Sequence, residues 1–171
     1  MIHTALEQTV WDILNTVPDP EIPAISIVEL GVVRSVSFNN GVCHVALTPT
    51  YAGCPALEQM QADALAALNA AGLVAQIEVV LSPAWTTDWL SDTTREKLRN
   101  YGIAPPHVNA INSNTGNAKP LQWHTPSNYQ PACPQCASRN TERVSEFGST
   151  ACKALYRCTS CLEPFDYFKP Y

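Results

Sequence analysis

The sequence predicts an α+β protein: a two-layer α/β sandwich with helices on one face of a small sheet, followed by a small four-cysteine β ribbon. Three observations lead there. Across the first hundred residues, apolar residues at helical spacing alternate with β-branched runs in the order α-β-β-α-β-α. Residues 103–130 lose any apolar period and carry five Asn and four Pro. Beyond them stand two Cys-x2-Cys pairs, at Cys133/Cys136 and Cys158/Cys161.

The first helix starts on a capping box, Thr4 followed by Glu7. Leu6, Val10, Ile13, Leu14 and Val17 form its apolar face, and Pro18 and Pro20 end it. Residues 19–26 read as an extended, turn-rich stretch, because each Pro biases its predecessor away from α. Residues 27–38 and 42–48 are rich in β-branched residues, and Asn39-Asn40-Gly41 between them signals a hairpin turn. A second helix is expected over 55–71, with Leu57, Met60, Leu65 and Leu68 on one face and Gly72 just past its end. Residues 74–82 read as a third strand. A third helix is expected to begin near Thr86 to Asp88 and to stop before Gly102. These elements give domains at 1–103 and 131–171, with 104–130 as a linker on which Trp123 and Tyr129 are the candidates to dock.

Bulk properties bound the function. The net charge is −5, with eleven acidic against four basic residues over 1–100 and four against five over 131–171. Neither part is a basic patch for nucleic acid. The acidic part suits a basic partner surface. No apolar run is long enough for a membrane span, and the first residues lack a signal-peptide pattern, so a cytoplasmic protein is expected.

Seven cysteines in such a chain argue for metal or thiol chemistry over a disulfide framework. The tail pairs have 21 residues between them. A hairpin that joins them presents Cys133, Cys136, Cys158 and Cys161 to one tetrahedral ion. Zn²⁺ suits four thiolates, and rubredoxin-like iron fits the same set. So short a tail buries little core, so the metal is expected to supply much of its fold. Strand character falls at 143–147 and 154–157. Cys152 reads either as a packed strand cysteine or as a fifth ligand.

Cys54 stands where the second strand gives way to the second helix, with Gly53 before it and Pro55 in the first helical turn. Unpaired N–H groups and the helix dipole there favour an anion, so a lowered thiol pKa is expected. The alternative is a small buried cap residue. Asp19 and Glu21 read either as carboxylates near Cys54 or as a turn-former and a solvated charge. Cys43 alternates with His44 along a strand and is expected to pack in the core.

Several segments carry a family resemblance. VPDPEIP (17–23), IVELGVV (27–33), TPTYAGCP (48–55) and SPAWTTDWL (82–90) resemble the small domain of iron–sulfur cluster assembly factors, to which SufT and the eukaryotic cytosolic targeting factors belong. CPQCAS (133–138), SEFGSTACKALYRCTSC (145–161) and EPFDYFKPY (163–171) are similar to the PaaD family of bacterial phenylacetate degradation. The match spans about residues 10–104 and 131–171. It implies an iron–sulfur-assembly-type fold with a C-terminal zinc ribbon. It implies a non-catalytic accessory of the multicomponent phenylacetyl-CoA ring epoxidase, which has a di-iron oxygenase subunit and a flavin, [2Fe–2S] reductase subunit. The implied role is to assist cluster assembly or insertion into the reductase.

By position, the family's acidic turn falls on Asp19, Pro20 and Glu21, its cysteine on Cys54, and its ribbon ligands on Cys133, Cys136, Cys158 and Cys161. The implied cofactors are a structural Zn²⁺ and a transient iron–sulfur cluster. The implied partners are the other epoxidase subunits, the reductase above all. One thiol cannot hold a cluster alone, so a homodimer or a site shared with the client follows. A structural adaptor without a cluster is the competing reading. A thiol enzyme would need a base beside Cys54, and none is near in sequence. No Glu-x-x-His pair and no Gly-x-Gly-x-x-Gly loop occurs, so oxygenase and nucleotide chemistry fall to other chains.

Overall fold

The computed structural model describes residues 5–107 and 129–171. The chain forms two compact units, Met1–Trp85 with Trp89–Lys97 and Thr86–Asp88 with Leu98–Tyr171. No helix among the described residues is long and apolar enough to cross a membrane.

The N-terminal unit opens with α1, Ala5–Leu14. Val10, Leu14 and Val17 bury the predicted apolar stripe, whereas Leu6 remains exposed. The Thr4 end of the expected capping box lies outside the described residues. The strand expected over 27–38 is shorter: β1 is Val33–Asn39. Its expected first half is one helical turn, with Leu30 N–H donating to Ser26 O at 2.9 Å. Ser26 Oγ accepts the N–H of Glu29 at 3.0 Å, and Glu29 Oε2 accepts the N–H of Ser26 at 3.0 Å. This reciprocal capping box overrides the strand preference of Ile27 and Val28. It also lets Ile27, Leu30 and Val32 turn into the core.

β1 pairs antiparallel with β2, Val42–Leu47. Asn40 and Gly41 connect them with φ of 51° and 81°, the paired positive angles of a type I′ hairpin. The crossover helix α2, Ala56–Ala70, then returns the chain to β3, Ala75–Val79, parallel to β2. The three-stranded sheet has the order β1-β2-β3. Register puts Val36, Val45 and Ile77 in one row and Phe38, Cys43 and Ala75 in the next. Those rows face α1 and α2, while Ser37, His44, Gln76 and Glu78 take the other face. Cys43 is fully buried and burial raises its pKa, in line with core packing.

The third helix begins later than expected. Thr87–Trp89 is a short 3₁₀ turn, and α3 runs Asp92–Asn100, with Ser91 Oγ capping the N–H of Thr94 at 3.1 Å. Trp85 donates its indole N–H to Leu30 O at 2.9 Å.

The C-terminal unit holds a four-stranded sheet of order β4-β7-β6-β5. Its strands are β4, Ile103–Ala104; β5, Thr141–Ser145; β6, Lys153–Cys158; and β7, Pro164–Phe168. β4 lies across the 103/104 boundary drawn from composition, because its backbone pairs in parallel with the outer side of β7. The remaining linker residues, 108–128 with Trp123, lie outside the described residues. Tyr156, Phe165 and Tyr167 form an aromatic core, with Tyr156 edge-on to Tyr167 at 5.5 Å. Tyr129 packs against that core, as proposed for a docking residue. His107 meets Tyr167 OH through Nδ1 at 2.7 Å.

Candidate functional site

In the N-terminal unit the turn Thr48–Pro55 carries Cys54 to the head of α2. Cys54 N–H donates to Tyr51 O at 3.1 Å, which closes the turn. Pro55 opens the helix with helical angles, φ −69° and ψ −23°, so Cys54 stands directly ahead of it. The Ala56 N–H and the Thr50 hydroxyl are placed to favour its thiolate. The thiol is half-buried.

The expected lowering of its pKa does not occur. Burial pushes the Cys54 thiol up. The Ala56 N–H and the Thr50 hydroxyl pull against burial, and the charges of Glu21 and Asp19 add to it. The helix-start N–H was foreseen from the sequence, whereas the Thr50 hydroxyl was not. The acids and the loss of water outweigh them.

That result also places Asp19 and Glu21 within electrostatic reach of Cys54. Asp19 is buried, and its Oδ1 accepts the N–H of Glu21 at 2.9 Å and of Ile22 at 2.6 Å. Its own N–H donates to Ile25 O at 2.9 Å. Asp19 is thus the expected turn-former, with its buried carboxyl within electrostatic reach of Cys54. Glu21 is half-buried beside it.

In the C-terminal unit the sulfurs of Cys133, Cys136, Cys158 and Cys161 all lie within 4.8 Å of one another. Cys133 and Cys161 are 3.7 Å apart, and Cys136 and Cys158 are 3.6 Å apart. A tetrahedron with metal–sulfur bonds of about 2.3 Å has edges of roughly 3.8 Å, so the set fits one ion.

Two matching knuckles build it. Cys133 N–H donates to Ser138 O and Cys158 N–H donates to Glu163 O, both at 2.9 Å. The residue after each second cysteine is left-handed, Ala137 at φ 60° and Leu162 at φ 67°. Each knuckle aims N–H groups at sulfur. Cys158 is pulled to about 6 chiefly by the N–H of Cys161, with that of Ser160. Cys161 receives the N–H of Glu163, yet burial and the sulfurs of Cys136, Cys158 and Cys133 push it up to about 12. Four thiolates so close together repel one another, and a cation removes the conflict.

Cys152 lies outside this four-sulfur group, buried, with its sulfur 3.0 Å from Thr150 Oγ1. His44 sits half-exposed on the sheet face away from the helices.

Comparison with known proteins follows the same division. A family described as "Iron-sulfur cluster assembly protein" matches residues 7–79, and one described as "PaaD zinc beta ribbon domain" matches residues 118–169. Over 161 residues the chain is 46% identical to a putative 1,2-phenylacetyl-CoA epoxidase component of Escherichia coli K12, covering 94% of this chain and 90% of that protein. It is 32% identical over 93 residues to the "Fe-S protein maturation auxiliary factor YitW" of Bacillus subtilis 168, covering 53% of this chain and 90% of that protein. A crystal structure of a domain of unknown function, DUF59, from Bacillus anthracis superposes with a TM-score of 0.51 at 30% identity, covering 55% of this chain and 92% of that one.

Proposed function

The chain belongs to the PaaD family of phenylacetyl-CoA epoxidase components, and we propose that it is an accessory maturation factor of that ring epoxidase. In this reading it assists iron–sulfur cluster assembly or insertion into the reductase subunit. The observation that carries the proposal is the half-exposed Cys54 thiol, set at a helix head within reach of the Asp19 and Glu21 charges. It stands in the segment that matches an iron–sulfur assembly family.

The cluster is cargo here. Loading is a ligand exchange with no change of oxidation state: the Cys54 sulfur binds iron and its proton leaves to solvent. The two carboxylates offset the cation's charge as water is displaced. Clusters usually take four protein ligands, so a second copy or the client completes the set. The four tail cysteines hold a Zn²⁺ that closes the ribbon structurally, and the ribbon docks the client.

The test is transfer. Protein loaded without air is mixed with apo-reductase and cluster absorbance is followed. The wild type is expected to load the client faster than free iron and sulfide do, and Cys54→Ser is expected to lose the advantage. Equal rates for wild type and free ions would sink the proposal.

The raised Cys54 pKa favours a second reading, a structural adaptor of the epoxidase complex that carries no cluster. It predicts that Cys54→Ser leaves epoxidase activity intact, whereas loss of the ribbon removes both activity and co-purification of the other components.

A further inference from the structure

β3 is an edge strand: β2 is its only partner among the described residues. Val74 O accepts from Cys43 N–H, and Val80 N–H donates to Leu47 O, so the even-numbered backbone groups face β2. Alternation then turns the N–H and C=O of Ala75, Ile77 and Val79 outward, to the open edge. Among the usual protections of a sheet edge, β3 has no Lys, no Pro and no bulge, and its single charge is Glu78. Its surroundings are largely apolar: Val79 is 41% exposed, Leu81 is 62% exposed, and Ala62, Leu65, Ala75 and Ile77, with Gln61 and Gln76, line an open groove between α2 and β3. The charge is one-sided. From residue 35 to residue 85 there is no Lys or Arg, while Glu58, Asp63 and Glu78 occur.

We infer that this edge receives an extended segment of a partner protein in which apolar and basic residues alternate. The segment adds a fourth strand beside β3. Its main chain bonds the outward groups of Ala75, Ile77 and Val79. Its apolar side chains lie on the groove with Leu65, and its basic side chains fall on the opposite face, beside Glu78 and Gln76. A second copy of this chain fits less well, because self-association brings two acidic units together. The edge shares no residue with the Cys54 site, so the outcome here is independent of cluster transfer.

The probe is a nine-residue peptide of alternating Lys and Val, labelled for anisotropy, with a Glu/Val peptide as control. The full chain is expected to bind the Lys/Val peptide at least tenfold more tightly than the control, more weakly as salt rises, with amide shifts concentrated at residues 75–79. Val79→Lys with Leu81→Lys, both at exposed positions, should weaken binding at least tenfold while leaving the unfolding midpoint unchanged. Equal binding of the two peptides, or shifts that avoid β3, would overturn the inference. So would a sedimenting dimer that the same double substitution dissociates, because the edge would then belong to a second copy.

Discussion

At Cys54 two donors compete with burial and two carboxylates, and the donors lose. Neutralising an acid should therefore lower the thiol's pKa. Glu21→Gln is expected to speed iodoacetamide labelling of Cys54 at pH 8 several-fold, and a rate equal to wild type would show that Glu21 does not act on the thiol. The sign also fixes a stability trend. Cys43 and Cys54 both have raised pKa values in the fold, so their contribution is present below the ordinary thiol value and fades as pH rises through the folded ones. At the knuckles, Ala137 and Leu162 hold left-handed angles that favour glycine. Leu162 is 61% exposed and so gives up little packing. Leu162→Gly should stabilise the ribbon by roughly 0.5–1 kcal/mol, read as a higher denaturation midpoint of the metal-bound protein.

Among the elements, the turn over residues 26–31 shows local chemistry overriding propensity. Ile27, Val28, Val32 and Val33 read as strand, but Ser26 and Glu29 form a capping box, a signal present in the sequence as Ser-x-x-Glu. Ser26→Ala should destabilise the N-terminal unit by about 1 kcal/mol, measured by urea unfolding. Glu29 also meets Lys97 Nζ at 2.6 Å. Burial raises the Glu29 pKa, but Lys97 and Ser26 together hold it below the usual value. A depressed carboxyl contributes stability above its unfolded pKa and loses it as pH falls through the folded one. Glu29→Gln should flatten that part of the acid unfolding curve; an unchanged curve would remove Glu29 from the account. The hairpin needed no such correction, because Asn40-Gly41 agrees with its surroundings; in α2 the buried face is Ala56, Met60, Ala64 and Leu68, so of the four residues expected there Leu57 is half-buried and Leu65 exposed.

For the molecule as a whole, the two units rest on different physics. The N-terminal unit buries aliphatic side chains between two helices and a sheet, whereas the C-terminal unit combines an aromatic core with four sulfurs. Chelation should therefore act on one unit. Metal removal is expected to abolish most of the near-UV signal of Tyr156 and Tyr167, while the amide resonances of β1–β3 keep their positions. Coincident loss of both sets would show that the metal holds the N-terminal fold as well.

Spacing alone determined the helix–strand order of the first unit, the hairpin, the place of Cys54 at the head of α2 and the grouping of the four tail sulfurs, because each depends on short-range patterns along the chain. Tertiary structure alone decided the rest. The approach of Asp19 and Glu21 to Cys54, the sign of its pKa shift, the pairing of β4 with β7 and the contact of His107 with Tyr167 all join distant residues. Burial and charge act through space, and a linear pattern does not record which side chains meet there.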